Sequence, residues 1–225
     1  MQISVFVGCF LLVAVSAAPD GIVLRELEKE LEDSFRLGGD LLLDRKSTEK
    51  NGLTETEKQD ILDYHNDIRA NVQPSASNML KMQWSDELAK TAQDYADKCI
   101  WGHNGDRSSG SSFWYVGENL FLSSYYNGKY VVDKWASEES DFTYSSNTCS
   151  GVCGHYTQVV WATSGYLGCG AKMCSSLQGL SWSNAVIVVC NYGNGGNFRG
   201  YLPYNEGTSC SKCPSGTSCQ NGLCA

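Results

Sequence analysis

Apolar and polar positions change period partway along the chain. From Leu53 onward, Ile61, His65, Ile68 and Val72 recur three or four residues apart, the spacing of one helix face. Thr54 and Glu57 precede them as a T-x-x-E capping box, which starts that helix. A second helix is predicted to begin at Ser85. Asp86 and Glu87 fall in its first turn, where the helix dipole favours acids, and Leu88, Ala92, Tyr95 and Cys99 form its stripe. A third runs from about Lys129 to Glu139, with Val131, Trp135 and Glu138 on one face. Glu139 pairs equally well with Val132 and Trp135, so spacing alone leaves the two glutamates open. Residues 102–115, rich in glycine, serine and aromatics, read as a loop too polar for a core.

After that the period shortens. Residues 166–174 and 185–192 read as strands, the second β-branched and continuously apolar, as a strand covered on both faces would be. Helices followed by strands predict an α+β layered domain. From Gly207 the chain is short turns with four cysteines, a piece that has no core of its own and must be stapled.

The N-terminal segment has a different character. Residues 5–15 are uncharged and apolar, too short to span a bilayer comfortably, and Ser16, Ala17 and Ala18 follow as at a signal-peptidase site. Residues 1–17 are therefore expected to be a signal peptide and the protein to be secreted. Residues 18–50 read as a propeptide or a linker: Leu24, Leu27, Leu31 and Phe35 could stripe a helix, and Arg45-Lys46 is a dibasic pair. No later stretch is long and apolar enough to span a membrane.

Composition narrows the classes. Apolar residues make up 42% of the 225 and charged residues 19%, enough core and too little charge for a disordered chain. Net charge is −8 and no basic run interleaves with aromatics, which argues against nucleic acid. Eleven cysteines, less Cys9 in the signal segment, leave an even set, read as disulfides in an exported chain. Zinc on Cys210 and Cys213 is disfavoured because no second C-x-x-C accompanies them.

Four polar residues ask for explanation. His65 lies on an apolar stripe, where one histidine is more often a satisfied core residue than a ligand. Glu138 shares a stripe with Val131 and Trp135, and an unpaired buried carboxylate is costly. Glu118 follows the aromatic loop, and His155 precedes an apolar run that could be a short helix or a strand. Spacing does not show that the four converge.

The same residues carry a resemblance. Gly154-His155-Tyr156-Thr157-Gln158-Val159-Val160-Trp161 with Gly168-Cys169-Gly170, and Cys190-Asn191-Tyr192 with Gly195-Gly196-Asn197 and Pro203-Tyr204, look like the two signatures of the CAP superfamily. That family comprises cysteine-rich secretory proteins, venom allergens and plant pathogenesis-related class 1 proteins. The blocks at His65–Arg69, Gly117–Leu120 and Trp135–Glu138 also resemble it, in the right order. The resemblance covers residues 54–206. It implies a three-layer α-β-α sandwich over residues 51–206, with residues 207–225 as a hinge-like tail.

Carried over by motif, the family's tetrad falls on His65, Glu118, Glu138 and His155. His65 and His155 would then hold zinc or another divalent cation, and Glu118 and Glu138 would be the catalytic acids were the protein an enzyme. Trp135 three residues upstream selects Glu138 over Glu139, and His103 is read as a structural hydrogen-bonder. The resemblance further implies the pairs Cys99–Cys174, Cys149–Cys153, Cys169–Cys190, Cys210–Cys219 and Cys213–Cys224. The sequence ends at Ala225, without the further domain that channel-blocking relatives carry, so channel blockade is not expected.

Three functions compete. The first is a secreted binding protein whose aromatic segments, 113–115 and 121–126, line a groove for a sterol or fatty acid. The second is a protease or esterase using the tetrad, against which stands the lack of H-E-x-x-H and G-x-S-x-G. The third is a scaffold for an unidentified extracellular protein partner.

Overall fold

The computed structural model describes residues 51–225. The signal-peptide and propeptide-or-linker readings, with the Leu24 stripe and the dibasic pair, lie outside the described residues. Helix α1, Glu55–Ala70, begins at the expected capping box: Thr54 Oγ1 accepts from the Glu57 amide at 3.3 Å, and Glu57 Oε2 accepts from the Thr54 amide at 2.7 Å. Strand β1, Gln83–Trp84, leads into α2, Asp86–Ala96, whose N-cap Ser85 accepts from the Leu88 amide at 3.3 Å. That helix ends before Cys99, which has a φ of 51°.

Strand β2, Val116–Ser123, was not expected from the sequence, which read its start only as the sequel of a loop. Helix α3, Gly128–Ala136, is shorter than the predicted third helix. The chain tightens into a 3₁₀ turn, Ser137–Asp141, so Glu138 stands on that turn and not on the helix. A small hairpin follows, β3 (Phe142–Thr143) with β4 (Thr148–Cys149), then the short helix α4, Gly154–Val159. Long strands β5, Tyr166–Cys174, and β6, Ala185–Gly193, lie where predicted.

The main sheet runs β1-β5-β6-β2. β5–β6 and β6–β2 are antiparallel and β1–β5 is parallel. Every residue of β6 is buried, because both faces of the sheet are covered. On one face, Ala92, Tyr95 and Ala96 of α2 pack on Leu120, Ile187 and Val189. On the other, Ile61, Val131, Trp135, Tyr156 and Val159 of α1, α3 and α4 pack on Val186, Val188 and Tyr192. This is the α-β-α sandwich. Each buried aliphatic side chain stabilises it by roughly 1.5–3 kcal/mol.

Two glycines of β5 set the spacing of the α2 layer. A Cβ on Gly168 would lie 2.2 Å from the Ala89 backbone nitrogen, and one on Gly170 would lie 2.5 Å from backbone atoms of Gln93. Their absent side chains let helix and strand backbones approach closely.

The disulfides are Cys99–Cys174, Cys149–Cys153, Cys169–Cys190, Cys210–Cys219 and Cys213–Cys224, the pairs that the resemblance implies. Cys169 and Cys190 face each other directly in the β5–β6 register. The tail forms a hairpin of β7, Cys219–Gln220, and β8, Leu223–Cys224. It is anchored as well as stapled: the Cys224 amide donates to Met79 O and the Lys81 amide to Cys224 O, both at 2.8 Å, and Leu223 is buried.

Candidate binding cleft

His65 does not belong to a metal site. Its ring is fully buried on α1, with Nδ1 2.7 Å from Ile61 O and Nε2 3.0 Å from the Tyr192 hydroxyl. Both nitrogens are engaged, so neither has a lone pair to offer an ion. Burial holds the imidazole at a pKa of about 4, keeping it neutral. The Trp135 ring packs against both His65 and His155, at 6.2 Å between centroids in each case. The histidine pair expected to share a cation is thus not brought together. His65 instead joins Asn66 and Arg69 in one internal brace. Asn66 exchanges hydrogen bonds with the Met82 amide and carbonyl, and Arg69 donates to five backbone carbonyls.

The other three residues fall in two histidine–glutamate pairs, and it is His103, not His65, that pairs with Glu118. His103 Nδ1 is 2.8 Å from Glu118 Oε1, which also accepts from the Asn104 amide at 2.9 Å. Glu118 Oε2 is buried with no hydrogen-bond partner. His155 Nδ1 is 2.6 Å from Glu138 Oε1, while Glu138 Oε2 accepts from the backbone amides of His155 at 2.9 Å and Tyr156 at 3.2 Å. Glu138 therefore satisfies open amides at the start of α4, whose N-cap Cys153 supplies no side-chain bond. Glu139 points to different work, accepting from the Tyr156 hydroxyl at 3.2 Å.

These are two histidine–glutamate pairs of the same build. In each, the carboxylate fixes Nδ1 as the protonated nitrogen and leaves Nε2 as the lone-pair nitrogen of the neutral ring. Strand β2, the edge of the sheet, relates them. Glu118 on β2 holds His103, and the next residue, Asn119, donates through Nδ2 to the His155 carbonyl at 3.1 Å. The second Asn119 bond goes to the Tyr192 hydroxyl at 3.0 Å, which ties the cleft to the brace around His65. The C-x-x-x-H spacing from Cys99 singles out His103 in the sequence, where the resemblance led to its reading as a structural hydrogen-bonder and not as a ligand.

Beside His155 and Glu138 lies a groove of about 270 Å³ along β2, walled by Trp101, Leu120, Leu122, Leu180 and Trp182. Of the aromatic segments expected to line such a groove, only Phe121 does so. Tyr126 is buried in the core, and Phe113 to Tyr115 pack against Tyr166 and Phe198 instead. Among the described residues, one cysteine cluster has ligand-like spacing, Cys210, Cys213 and Cys224. All three are in disulfides and hold no thiolate. No helix among the described residues is long and apolar enough to cross a membrane.

Comparison with known proteins gives a family for this geometry. Peptidase inhibitor 16 of Mus musculus is 47% identical over 176 residues, covering 76% of this chain and 34% of that one. Cysteine-rich secretory protein LCCL domain-containing 1 of Homo sapiens is 39% identical over 214 residues, covering 88% and 42%. The chain thus spans well under half the length of these relatives. Among solved structures, NaASP2 with Zn2+ is 29% identical with a TM-score of 0.62, covering 78% of this chain and 98% of that one. Schistosoma mansoni venom allergen-like protein 4 is 26% identical with a TM-score of 0.58, covering 69% and 97%. The profile of the CAP cysteine-rich secretory protein family matches residues 62–192, and the chain belongs to that family.

Proposed function

We propose that this is an extracellular, non-catalytic binding protein. Its cleft takes a divalent cation such as zinc on His103 and His155, and the adjoining groove takes a sterol or fatty acid. The observation that carries this reading is the matched pair of histidines, each with Nδ1 on a carboxylate and Nε2 left as a donor atom. Carboxylate-backed imidazoles are the usual form of zinc-binding histidine. The orphaned Glu118 Oε2 fits the same purpose, since a bound ion or its water would satisfy it. The zinc carried by the related NaASP2 structure supports the choice of metal.

Binding is favoured over hydrolysis because Glu138 is already committed and the side chain of Glu118 is fully buried. Glu138 carries two amides and an imidazole, and Glu118 an imidazole and an amide. Glu138 could act as a base only by giving up a bond that holds the site, and the remaining Glu118 oxygen is buried. An extracellular address is supported by the disulfides and by the apolar N-terminal run.

Zinc calorimetry at pH 7.5 tests the metal reading. Binding in the micromolar range (about −8 kcal/mol) is expected for the wild type, lost in His103→Ala/His155→Ala and kept in His65→Phe. Absence of wild-type binding, or loss confined to the His65 variant, overturns the metal site. Cholesterol and palmitate titrations, with Trp182→Ala as the groove variant, test the lipid reading in the same way.

A further inference from the structure

A second pocket, of about 330 Å³, shares no lining residue with the groove beside His155. It lies between the β3–β4 hairpin, α4 and residues 197–203, and its aromatic walls are Phe142, Trp161, Phe198 and Tyr201. Tyr201 has 71% of its surface in solvent, and Trp114, 72% exposed, stacks on Phe198 with 5.6 Å between ring centroids. An exposed aromatic cluster of this kind on a folded domain marks a contact site more often than an accident of packing.

The walls are held in place. Gly196 leaves room for Trp161, whose ring carbon would lie 2.3 Å from a Cβ there, and the Gly196 amide donates to Gln158 Oε1 at 2.9 Å. Asn197 donates to Gly154 O at 2.7 Å and accepts from Thr157 Oγ1 at 2.8 Å. Asn147 donates to Tyr201 O at 3.1 Å. A site ordered in this way spends little binding energy on fixing its own loops.

These bonds engage the Asn147, Thr157 and Asn197 side chains of the lining. The lining carries one charge. Arg199 lines the pocket, is exposed, and has no hydrogen bond, ion pair or ring contact among the described residues, while no carboxylate is in the lining. A free guanidinium beside flat apolar walls is complementary to a carboxylate carried on a ring. We propose that this pocket binds a small ring-bearing carboxylate, its ring on Tyr201 and Phe198 and its carboxylate on Arg199. Aromatic acids and sugar acids share that chemistry.

Ligand-observed NMR titration of the full chain tests this with 3-phenylpropionate and glucuronate, against the neutral 3-phenylpropionamide and methyl glucoside. One of the two acids is expected to bind with a dissociation constant of about 1 mM or tighter, and its identity names the source. Affinity should fall by at least about tenfold in Arg199→Gln and in Tyr201→Ala, both exposed positions, and by as much for the neutral analogue. Equal binding of acid and neutral analogue, equal binding by the Arg199 variant, or no binding of either acid at ~10 mM overturns the proposal.

Discussion

The Trp135 indole lies parallel to the His155 imidazole, with 6.2 Å between centroids and 15° between planes. Its Nε1 donates to Leu120 O on the edge strand at 3.2 Å. One side chain thus supports the cleft histidine and fastens α3 to β2. Because Trp135 is 2% exposed, Trp135→Ala should cost about 3–5 kcal/mol in urea unfolding. It should also weaken zinc binding by releasing His155. Unchanged zinc affinity in a folded Trp135→Ala variant would show that Glu138 alone orients the ring.

Arg69 is a buried guanidinium without a carboxylate. It is 1% exposed and donates to the carbonyls of Leu80, Val159, Trp161, Ala162 and Ser164, at 2.6 to 3.2 Å. Burial pushes its pKa down to about 9, still above neutrality, so the charge persists. The planar fork collects carbonyls at the end of α4 and the start of the loop to β5, which an ammonium point charge cannot do. Arg69→Lys and Arg69→Met should each destabilise by about 3–5 kcal/mol through carbonyls left unpaired. A loss below ~1 kcal/mol in chemical denaturation would mean that water replaces the side chain.

The fold was readable in the chain where local chemistry and period agree. The capping box at Thr54 and the apolar run of β6 each admit one structure. β2 was not, because Gly117, Glu118 and Asn119 break any strand pattern. They are there for the cleft and for contact with Gln158, whose Oε1 would be 2.1 Å from a Cβ on Gly117. The histidine assignment failed for a related reason. His65 and His103 both stand in recurring blocks, and a block marks a constrained position without saying whether the constraint is packing or chemistry. Burial makes the distinction: His65 is enclosed, whereas the His103 side chain is 59% exposed beside a fully buried carboxylate.

Close approach of α2 to β5 gives a third expectation. The Cβ of Gly170→Ala would meet backbone atoms of Ala92 and Gln93, which cannot rotate away as a side chain could. Overpacking of this kind should cost about 1–3 kcal/mol or more. It should leave the disulfide pairing intact, as peptide mapping would show. A variant as stable as the wild type in thermal melts would mean that the α2 layer slides freely on the sheet.

Acid should act on the brace through His65. Its imidazole titrates near 4 in the folded protein, lowered chiefly by burial and further by the Arg69 charge, against a backbone hydrogen bond to Ile61 that raises it. An unfolded histidine titrates near 6.5. Between those values the unfolded chain binds a proton that the native one refuses, so stability is full above about pH 6.5 and falls as the pH drops towards 4. Below 4 both states are protonated and the loss levels off, at roughly 3 kcal/mol for a separation of this size. His65→Phe removes the titrating group while keeping a ring against Trp135 and Tyr192. Urea unfolding measured from pH 7.5 to 4 should therefore fall less steeply for that variant, by close to one proton in the slope. Parallel slopes for the two proteins would place the acid sensitivity elsewhere in the fold.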